Sequence, residues 1–387
     1  MKLISRINFR LGYKSIIYSL LKVFIKNTPK ANVFGDFFNE SQVFLIDSAR
    51  SGIFIILDAL DLPEKSRVGV MSINCHSVYN AIYQAGYTPV FIDVNRDFTI
   101  CIEDLSNKKN LQVLILSHLF GVISDVEEIK RLYPEMIIIE DCAHSFLSKD
   151  KNDNNSGFIA DFAVFSFNFG KFPAIGGGGL LLVNNASWYQ KIKSKVQALV
   201  RPTLLDDVFS AIRKLVMVTI HNPFLYGVFF YKLKKKYSKK SINVFEEHEP
   251  TLISNLDLCL LNEKIETINT DLSNQLKNGS FISKKHLSKQ QGTHHNYFII
   301  PELTFEKDYW IKKGILNGVE IGGHFSNSIL WAMKFGYEKG SCPLSEVIVK
   351  QLVTFPCYYA LSDKEANKIA HVYQELIHKP SVNALKT

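Results

Sequence analysis

The sequence has no cysteine pattern that would hold a structural metal or a framework of disulfides. Its six cysteines lie far apart, and none forms a CxxC pair, which favours reduced thiols in a cytoplasmic protein. It also has no run of about 18–20 apolar residues, the length that a membrane-spanning helix needs. The N-terminal stretch MKLISRINFRLGYK lacks the uninterrupted apolar core of a signal peptide. These absences predict a cytoplasmic protein.

The charge of the chain is mildly basic, with a net value of +8. This excess is too small and too scattered to indicate nucleic-acid binding, but it suits an anionic ligand or an anionic membrane surface. Hydrophobic residues make up 47% of the chain and charged residues 21%, which is typical of a globular protein. A length of 387 residues exceeds the usual size of one hydrophobic core, so a large and a smaller domain are expected.

Between residues 41 and 185, short apolar runs alternate with amphipathic stretches. Runs this rich in isoleucine and valine are typical of strands that are buried on both faces of a sheet, and the alternation predicts an α/β fold with a mainly parallel seven-stranded sheet between helices. The predicted strands are VFLIDS (43–48), RVGVMSI (67–73), TPVFIDV (88–94), LQVLILSHL (111–119), MIIIED (136–141), DFAVFSF (161–167) and GLLLVN (179–184). Ligands of such sheets bind beyond the carboxyl ends of the strands, so the polar residues that end these runs are the candidates for a site.

The rest of the chain divides around this sheet. An N-terminal arm with an amphipathic helix is predicted over 1–40, and the large domain over 41–245. From about residue 251 the pattern becomes helical, then offers a strand in HHNYFIIPE (294–302) and a closing helix in KEANKIAHVYQELI. This predicts a small C-terminal α/β domain over 246–387.

Two segments combine apolar and basic residues. In KSIIYSLLKVFIK (14–26), a helical stripe of Ile16, Ile17, Leu20, Leu21 and Phe24 lies apart from three lysines, Lys14, Lys22 and Lys26. Residues 203–240 are strongly apolar and then strongly basic, with lysines at 232, 234, 235, 236, 239 and 240. The first segment could pack on the main body of the protein, and the second could pack on the body or on a partner subunit. Either could instead lie on a membrane surface, since an apolar face beside basic residues suits anionic lipid.

Four chemically distinct side chains follow neighbouring predicted strands. Asp141 ends one strand, His144 follows it, Ser166 closes the next, and Lys171 precedes the glycines of Gly176–Gly179. Taken singly, Asp141 would be a helix cap, His144 a buried histidine and Lys171 part of a surface turn. Together they match the needs of pyridoxal 5'-phosphate (PLP): an amine for the aldehyde, a carboxylate for the pyridine nitrogen, and hydroxyls with backbone N–H groups for the phosphate.

The same residues carry a resemblance to a known family. EDCAHSF, followed by SGFIADFAVFSFNFGKFPAIGGGGLLLVN, resembles the signature of the DegT/StrS family of PLP-dependent sugar aminotransferases, which have the fold type I architecture of aspartate aminotransferase. Further similar stretches are DSARSG (47–52), AGYTPVFIDVN (85–95), SHLFGVISDVEEI (117–129) and GYEKGSCPLSEVIVKQLVTFPCYYALSDKE (336–365). The resemblance covers roughly 41–190 and 294–380.

The resemblance implies roles for individual residues. Lys171 would bind the cofactor aldehyde and act as general base and acid, Asp141 would pair with the pyridine nitrogen, and His144 would contact the ring or its phenolic oxygen. Asp161 is expected to be structural.

The phosphate is expected at the start of the helix that follows DSARSG. Ser166 would bind it, together with the backbone at Arg50 and Ser51, and the N-terminal end of the helix would add its dipole.

Three departures from the family pattern concern the substrate side. Gly177 stands where the family has glutamate in G-E-G-G, and Cys75, beside His76, stands where an aromatic residue stacks on the ring. The family's N-x-R motif aligns near EPTLIS (249–254), which has neither asparagine nor arginine. The segment 203–240 is also unusual for the family.

The resemblance therefore implies a homodimeric aminotransferase that moves an amino group from glutamate to a keto sugar for a surface polysaccharide. Family members that dehydrate sugars tend to replace the lysine, so Lys171 favours transamination. The alternative is a divergent or membrane-associated protein of the same fold that acts on a lipid-linked or other substrate, or mainly by binding. No metal site is expected.

Overall fold

A computed structural model describes residues 2–29, 34, 37–38, 42–231, 243–283 and 295–378 of the chain. The strands of this structure are β1 (Val43–Ile46), β2 (Arg67–Met71), β3 (Thr88–Ile92), β4 (Val113–Ser117), β5 (Ile137–Asp141), β6 (Phe162–Ser166), β7 (Gly179–Val183), β8 (Ile300–Leu303) and β9 (Leu352–Phe355). The first seven correspond to the seven predicted runs.

Fourteen α-helices lie in the described part of the chain. Those before the middle of the chain are α1 (Tyr13–Phe24), α2 (Ala49–Leu60), α3 (His76–Gln84), α4 (Ile102–Asn107), α5 (Val126–Leu132), α6 (Tyr189–Gln197) and α7 (Leu204–Ile220). The others are α8 (Pro223–Leu225), α9 (Asn255–Glu266), α10 (Ile268–Ile282), α11 (Lys307–Leu316), α12 (Ser328–Ala332), α13 (Pro343–Gln351) and α14 (Asp363–Ile377). A π-helical turn, Tyr226–Phe230, follows α8.

The seven strands form one sheet in the order β1-β7-β6-β5-β4-β2-β3. The pairs from β3 to β6 are parallel, whereas β7 is antiparallel to both β6 and β1. The predicted α/β class with a mainly parallel seven-stranded sheet is therefore confirmed. The apolar runs did not reveal the antiparallel edge, because strand direction depends on how the intervening chain crosses the sheet.

The central strands β4 and β7 are buried along their whole length, as their uninterrupted apolar sequences predict. The carboxyl ends of β4, β5 and β6 lie side by side, because Ser117 pairs with Asp141, and Asp141 with Val164. This edge of the sheet carries the polar residues that the sequence marks as candidates.

The C-terminal part of the chain has its own two-stranded antiparallel sheet, β8 and β9, with α14 packed in the same apolar cluster. The predicted strand at 294–302 is shorter and lies later, at Ile300–Leu303. Helix α9 belongs to the cluster under the main sheet, where Leu256 and Leu260 pack with Phe165 and Leu180. The division into an arm (1–40), a large domain (41–245) and a small domain (246–387) stays a prediction.

Helix α1 packs on the body, but not through the whole predicted stripe. It buries Ile16, Ser19 and Val23, while Ile17 and Phe24 are exposed. The physical reason is that α1 contacts its neighbours along one narrow face, so a wide apolar stripe is only half covered.

The segment 203–240 is helical as far as residue 231 in the described part, and α7 packs on the body through Asp207, Ala211 and Lys214. Its predicted lysine cluster at 232–240 lies outside the described residues. Among the helices that the structure describes, none is long and apolar enough to cross a membrane.

Candidate active site

Lys171 lies in the turn that follows β6, at the edge where the strands of the sheet end. Its backbone N–H donates to Asn168 O at 3.1 Å, and the preceding Gly170 N–H donates to Asn8 O at 2.9 Å, so the N-terminal segment supports the turn. The Lys171 ammonium lies 5.4 Å from the centre of the Phe298 ring. Burial lowers the pKa of Lys171 below its ordinary value of 10.5, and the nearby Cys75 and Asp141 offset part of this effect. A lysine amine with a lowered pKa is a better nucleophile towards an aldehyde at neutral pH.

Asp141 ends β5 and is held by hydrogen bonds rather than left to rotate. Its Oδ2 accepts from Ser117 Oγ at 2.9 Å, and its Oδ1 accepts from Ala143 N at 3.2 Å. Ser117 Oγ in turn accepts from Asn74 Nδ2 at 2.7 Å. This buried network orients the carboxylate in front of the Lys171 turn, as a group that must hold a ring nitrogen requires.

His144 lies in an aromatic cluster beside Lys171. Its Nδ1 accepts from Phe120 N at 3.2 Å, and its ring stacks on Phe298 with 4.2 Å between centroids. Burial holds the pKa of His144 well below its ordinary value, and the positive charge of Lys171 and the ring of His324 add to this. The imidazole is therefore neutral, and its Nε2 carries the hydrogen because Nδ1 is an acceptor.

The N-terminus of α2 meets the end of β6 through a close contact at Gly179. Ser166 pairs with Gly179 across the β6–β7 ladder, and a Cβ on Gly179 would lie 2.6 Å from the backbone carbon of Ser48. The fold therefore brings Ser166 to the first turn of α2, which contains Arg50 and Ser51. A helix N-terminus with hydroxyls beside it is suited to an anion such as a phosphate.

The side chains of this first turn have partners in the chain. Ser48 caps the helix by accepting from Ser51 N at 3.2 Å, and Ser51 Oγ lies 2.8 Å from His248 Nε2. The Nη1 atom of Arg50 lies 3.4 Å from Oε2 of Glu246. His248 is a site residue that the sequence did not predict, because it reaches α2 from a segment about 200 residues further on.

Cys75 precedes α3 and faces the Lys171 side of the site. It acts electrostatically on Lys171, and its Sγ accepts from Ser77 Oγ at 3.1 Å. The neighbouring His76 instead meets Trp331 edge to face, with 5.2 Å between ring centroids. Of these two residues, Cys75 is the one that acts electrostatically on Lys171, and its predicted place beside the cofactor ring stays a prediction.

The glycine turn behind Lys171 contacts a carboxylate from another element. A Cβ on Gly177 would collide with Oδ2 of Asp257, in the first turn of α9. Asp257 Oδ1 lies 2.8 Å from Lys214 Nζ, which also donates to Gly176 O at 3.1 Å. The position that holds glutamate in the family pattern is thus adjacent to an aspartate here, delivered from a distant part of the chain.

The other side of Lys171 is lined by residues that the sequence analysis missed. Arg6, Phe298 and His324 line a small cavity with Lys171. Arg6 Nη1 donates to Thr354 Oγ1 at 3.0 Å and lies 3.5 Å from His324 Nδ1. No local motif marks these residues, since each comes from a different segment of the chain.

The EPTLIS segment (249–254) runs along the edge of the sheet in the same chain. Thr251 N donates to Asp47 Oδ1 at 3.1 Å, and Asp47 N donates back to Thr251 O at 3.1 Å. Leu252 forms a bridge with Ile46 of β1. Asp161, the expected structural residue, accepts from Ile138 N at 3.0 Å and from Asn185 Nδ2 at 2.9 Å.

The sequence-predicted residues thus form two adjoining groups. Lys171 is close enough to Asp141, His144 and Cys75 to interact with each of them electrostatically, and Ser166 lies with Arg50 and Ser51 at the start of α2. An amine of lowered pKa, an oriented carboxylate and an anion-binding helix end are the donor set that PLP requires. The residues present therefore fit this cofactor.

Comparison with known proteins gives an independent result. Residues 29–202 match the sequence model of the DegT/DnrJ/EryC1/StrS aminotransferase family. The GDP-perosamine synthase of Escherichia coli O157:H7 is 29% identical over 151 residues, which are 38% of this chain and 41% of that protein. The aligned part thus spans less than half the length of that relative.

Solved structures match over nearly the whole chain. A DegT DnrJ EryC1 StrS aminotransferase from Brucella abortus covers 95% of this chain and 96% of its own, with a TM-score of 0.72 and 17% identity. Helicobacter pylori PseC, an aminotransferase involved in the biosynthesis of pseudoaminic acid, covers 97% and 99%, with a TM-score of 0.69 and 16% identity. At these identities the likeness shows the fold, which is fold type I. The chain is thus similar to the DegT/DnrJ/EryC1/StrS aminotransferase family over residues 29–202, somewhat less than half of its length, and it shares the fold of solved aminotransferases of that name over nearly its whole length.

Proposed function

We propose that this protein is a PLP-dependent aminotransferase that moves an amino group from glutamate to a keto sugar destined for a surface polysaccharide. The observation that carries the proposal is the convergence of Lys171, Asp141 and His144 at the sheet edge, next to the anion-binding start of α2. The sugar class is supported by the family and by relatives such as the GDP-perosamine synthase. The glutamate donor rests on the resemblance.

In this proposal the bound cofactor supplies an electron sink that makes the hydrogen on the amino-bearing carbon acidic. Lys171 holds the cofactor in the resting enzyme, and its amine then moves the proton at that carbon. Asp141, oriented by Ser117, keeps the ring nitrogen protonated. His144 stays neutral and offers its Nε2 hydrogen to the ring oxygen. Ser166, Ser51 and the backbone at Arg50 would hold the phosphate at the start of α2, and Cys75 would lie against the ring.

The proposal also includes a cytoplasmic homodimer with the active site near the subunit interface, which the resemblance implies. The mass of the purified protein by light scattering tests this part, and a monomer at working concentration would contradict it. This part is separable from the chemistry, because cofactor capture by Lys171 can be measured whatever the oligomeric state.

The experiment for the chemistry compares wild type with Lys171→Ala after incubation with PLP. The wild type is expected to gain an absorbance band at about 400–430 nm and, after borohydride reduction, a covalent adduct on Lys171. Lys171→Ala should show neither, while retaining its folded circular dichroism spectrum. A wild type that stays colourless and unlabelled would refute the proposal.

The substrate is tested separately, by following 2-oxoglutarate released from glutamate when a candidate keto sugar is added. A second candidate substrate is a lipid-linked keto sugar. It is favoured by the exposed apolar residues of α1 and α7, together with the absence of a carboxylate at Gly177. Turnover of lipid-linked but not nucleotide-linked sugars would identify this second case.

A further inference from the structure

Helix α7 packs on the body through a mixed face, in which Ala211, Leu215 and Val218 contact the core beside two buried charges. It buries Asp207, Ala211 and Lys214 against the body, while Phe209, Ile212 and Val216 each expose more than half of their surface. The buried charges have partners there, since Asp207 Oδ1 accepts from Leu256 N at 2.9 Å and Lys214 pairs with Asp257. A surface helix usually buries its apolar stripe, so the exposure of Phe209, Ile212 and Val216 leaves a second apolar side of α7 uncovered.

Helix α1 lies beside α7 and extends the same apolar surface. Tyr13 OH, at the start of α1, lies 3.1 Å from Thr219 Oγ1, near the end of α7. Lys22 in the last turn of α1 and Asp207 in the first turn of α7 both act electrostatically on Cys259 of α9. The two helices therefore run antiparallel over α9. On α1, Ile17, Leu21 and Phe24 also expose more than half of their surface.

We call these six residues of the two helices the α1–α7 face. Their spacings, i, i+4, i+7 on α1 and i, i+3, i+7 on α7, align each set along one side of its helix. Folded proteins rarely leave a contiguous apolar surface of this kind uncovered without a binding function.

The two stretches of sequence that carry the α1–α7 face are rich in basic residues. Residues 1–35 contain seven lysines and arginines and no acidic residue, and residues 208–245 contain eight and none. These two stretches thus hold 15 of the 45 basic residues and none of the 37 acidic ones, so the rest of the chain has seven more acidic than basic residues. The modest overall charge of +8 hides two strongly basic stretches of sequence, and the exposed basic side chains that the structure describes on or directly after the two helices include Lys14, Lys26 and Arg213.

We propose that the α1–α7 face docks on the surface of a bilayer that contains anionic lipids. Its apolar side chains would enter the boundary between headgroups and acyl chains, and the surrounding lysines and arginines would contact the lipid phosphates. A second copy of the chain is the less favourable occupant. A two-fold interface would set each basic region against its own equivalent, and like charges oppose such an approach. The proposal does not depend on the reaction that the site performs.

The test is co-flotation of the full chain with vesicles of phosphatidylcholine alone or with about 30% phosphatidylglycerol added. The wild type should float with the anionic vesicles and release as salt is raised. The double variant Ile17→Asp/Phe209→Asp should bind at least about tenfold more weakly, because both side chains would insert. Phe305→Asp, which changes an 82% exposed phenylalanine outside the face, is the matched control and should bind as wild type does.

A charge variant separates the contribution of the apolar side chains from that of the basic side chains. Lys14→Glu/Lys26→Glu/Arg213→Glu retains the apolar residues and should lose its preference for anionic vesicles, whereas Lys312→Glu should not. Circular dichroism and PLP capture show that each variant is folded. The proposal is overturned if the wild type does not float with anionic vesicles, or if Ile17→Asp/Phe209→Asp floats as well as wild type. It is also overturned if that variant halves the mass of the protein in solution, since a second copy would then cover the face.

Discussion

Lys214 of α7 and Asp257 of α9 form a buried ion pair, with 2.8 Å between Nζ and Oδ1 and 2% and 11% of their side-chain surfaces exposed. The pair lies directly behind the glycine turn that follows Lys171, because Lys214 also donates to Gly176 O and Asp257 Oδ2 adjoins Gly177. It links helix α7 of the segment 203–240 to the turn that carries Lys171. A change in α7 can therefore reach the active site through two side chains.

Removing one partner of this pair should be strongly destabilising. Lys214→Met leaves the Asp257 carboxylate buried without its counter-charge, and the expected loss is about 3–5 kcal/mol in the free energy of unfolding. Urea unfolding of the full chain measures this loss.

Two further variants test whether the loss comes from leaving a buried charge unpaired. Lys214→Met/Asp257→Asn should lose less than the sum of its single changes, because no unpaired charge remains. Lys195→Met breaks an exposed pair with Asp58, so it should alter stability by no more than about 1 kcal/mol. Equal losses for Lys214→Met and Lys195→Met would contradict the burial argument.

Introducing at position 177 the glutamate of the family pattern should lower both the stability of this chain and its capture of PLP. Gly177→Glu places a Cβ against Asp257 Oδ2 and a second carboxylate next to the first. We expect a loss of at least about 1–3 kcal/mol in stability, and weaker PLP capture because the Lys171 turn is displaced. Differential scanning calorimetry and titration with PLP measure the two effects.

The same change should be better tolerated when Asp257 is absent. In an Asp257→Ala background, the new glutamate has room and can pair with Lys214, so Gly177→Glu should then restore part of the lost stability. An identical loss in both backgrounds would show that contact with Asp257 is not the cause.

Three buried histidines should make the protein sensitive to acid. Burial holds the pKa of His144 and His324 well below the ordinary 6.5, and it lowers the pKa of His295 to about 3. Below pH 6.5 the unfolded chain therefore binds protons that the folded chain does not. The stability contribution is complete above pH 6.5 and is lost as the pH falls towards the folded-state pKa values.

Each histidine should contribute up to about 1.4 kcal/mol per pH unit to this loss. Urea unfolding without added cofactor, between pH 7 and pH 5, measures the slope. His295→Asn should lower the number of protons taken up on unfolding, and hence the slope, by the equivalent of about one proton. The control is His371→Asn, which changes an exposed histidine. A slope that His295→Asn leaves unchanged would mean that His295 is protonated in the folded state.

The charge of Asp141 should also set the pH at which Lys171 reacts. Burial lowers the pKa of Lys171, and Asp141 acts in the opposite direction. In Asp141→Asn that opposing charge is gone, so the pKa of Lys171 should fall further. Borohydride trapping of PLP on Lys171, measured by mass against pH, should show its midpoint at a lower pH than in wild type. A midpoint that stays in place or rises would indicate that the two groups do not interact.

Much of the fold could be predicted from the sequence, because its evidence is local. The apolar runs that became β2 to β7 are short, rich in β-branched residues and separated by helical patterns, which is sufficient to predict a buried parallel sheet. Asp141, Ser166 and Lys171 could be predicted for the same reason, since residues that end parallel strands meet at one edge.

Other residues of the site have no local signal. Arg6, His248 and His324 enter from segments that are far apart in the chain, and their place depends on how those segments cross the sheet. The orientation of α7 was also not predictable. Its sequence has apolar residues on more than one side, but only the buried partners Leu256 and Asp257 explain why Asp207 and Lys214 face inward while Phe209, Ile212 and Val216 stay exposed.

The sequence by itself determined the class of the sheet, the cofactor motif around Lys171 and the likeness to the family, because each depends on the order of neighbouring residues. Only the tertiary structure decided that Asp257 lies against Gly177, that Lys214 pairs with it, and that α1 and α7 expose apolar residues beside each other. These relationships join residues many positions apart, and they arise from the packing of whole elements, which no local pattern encodes.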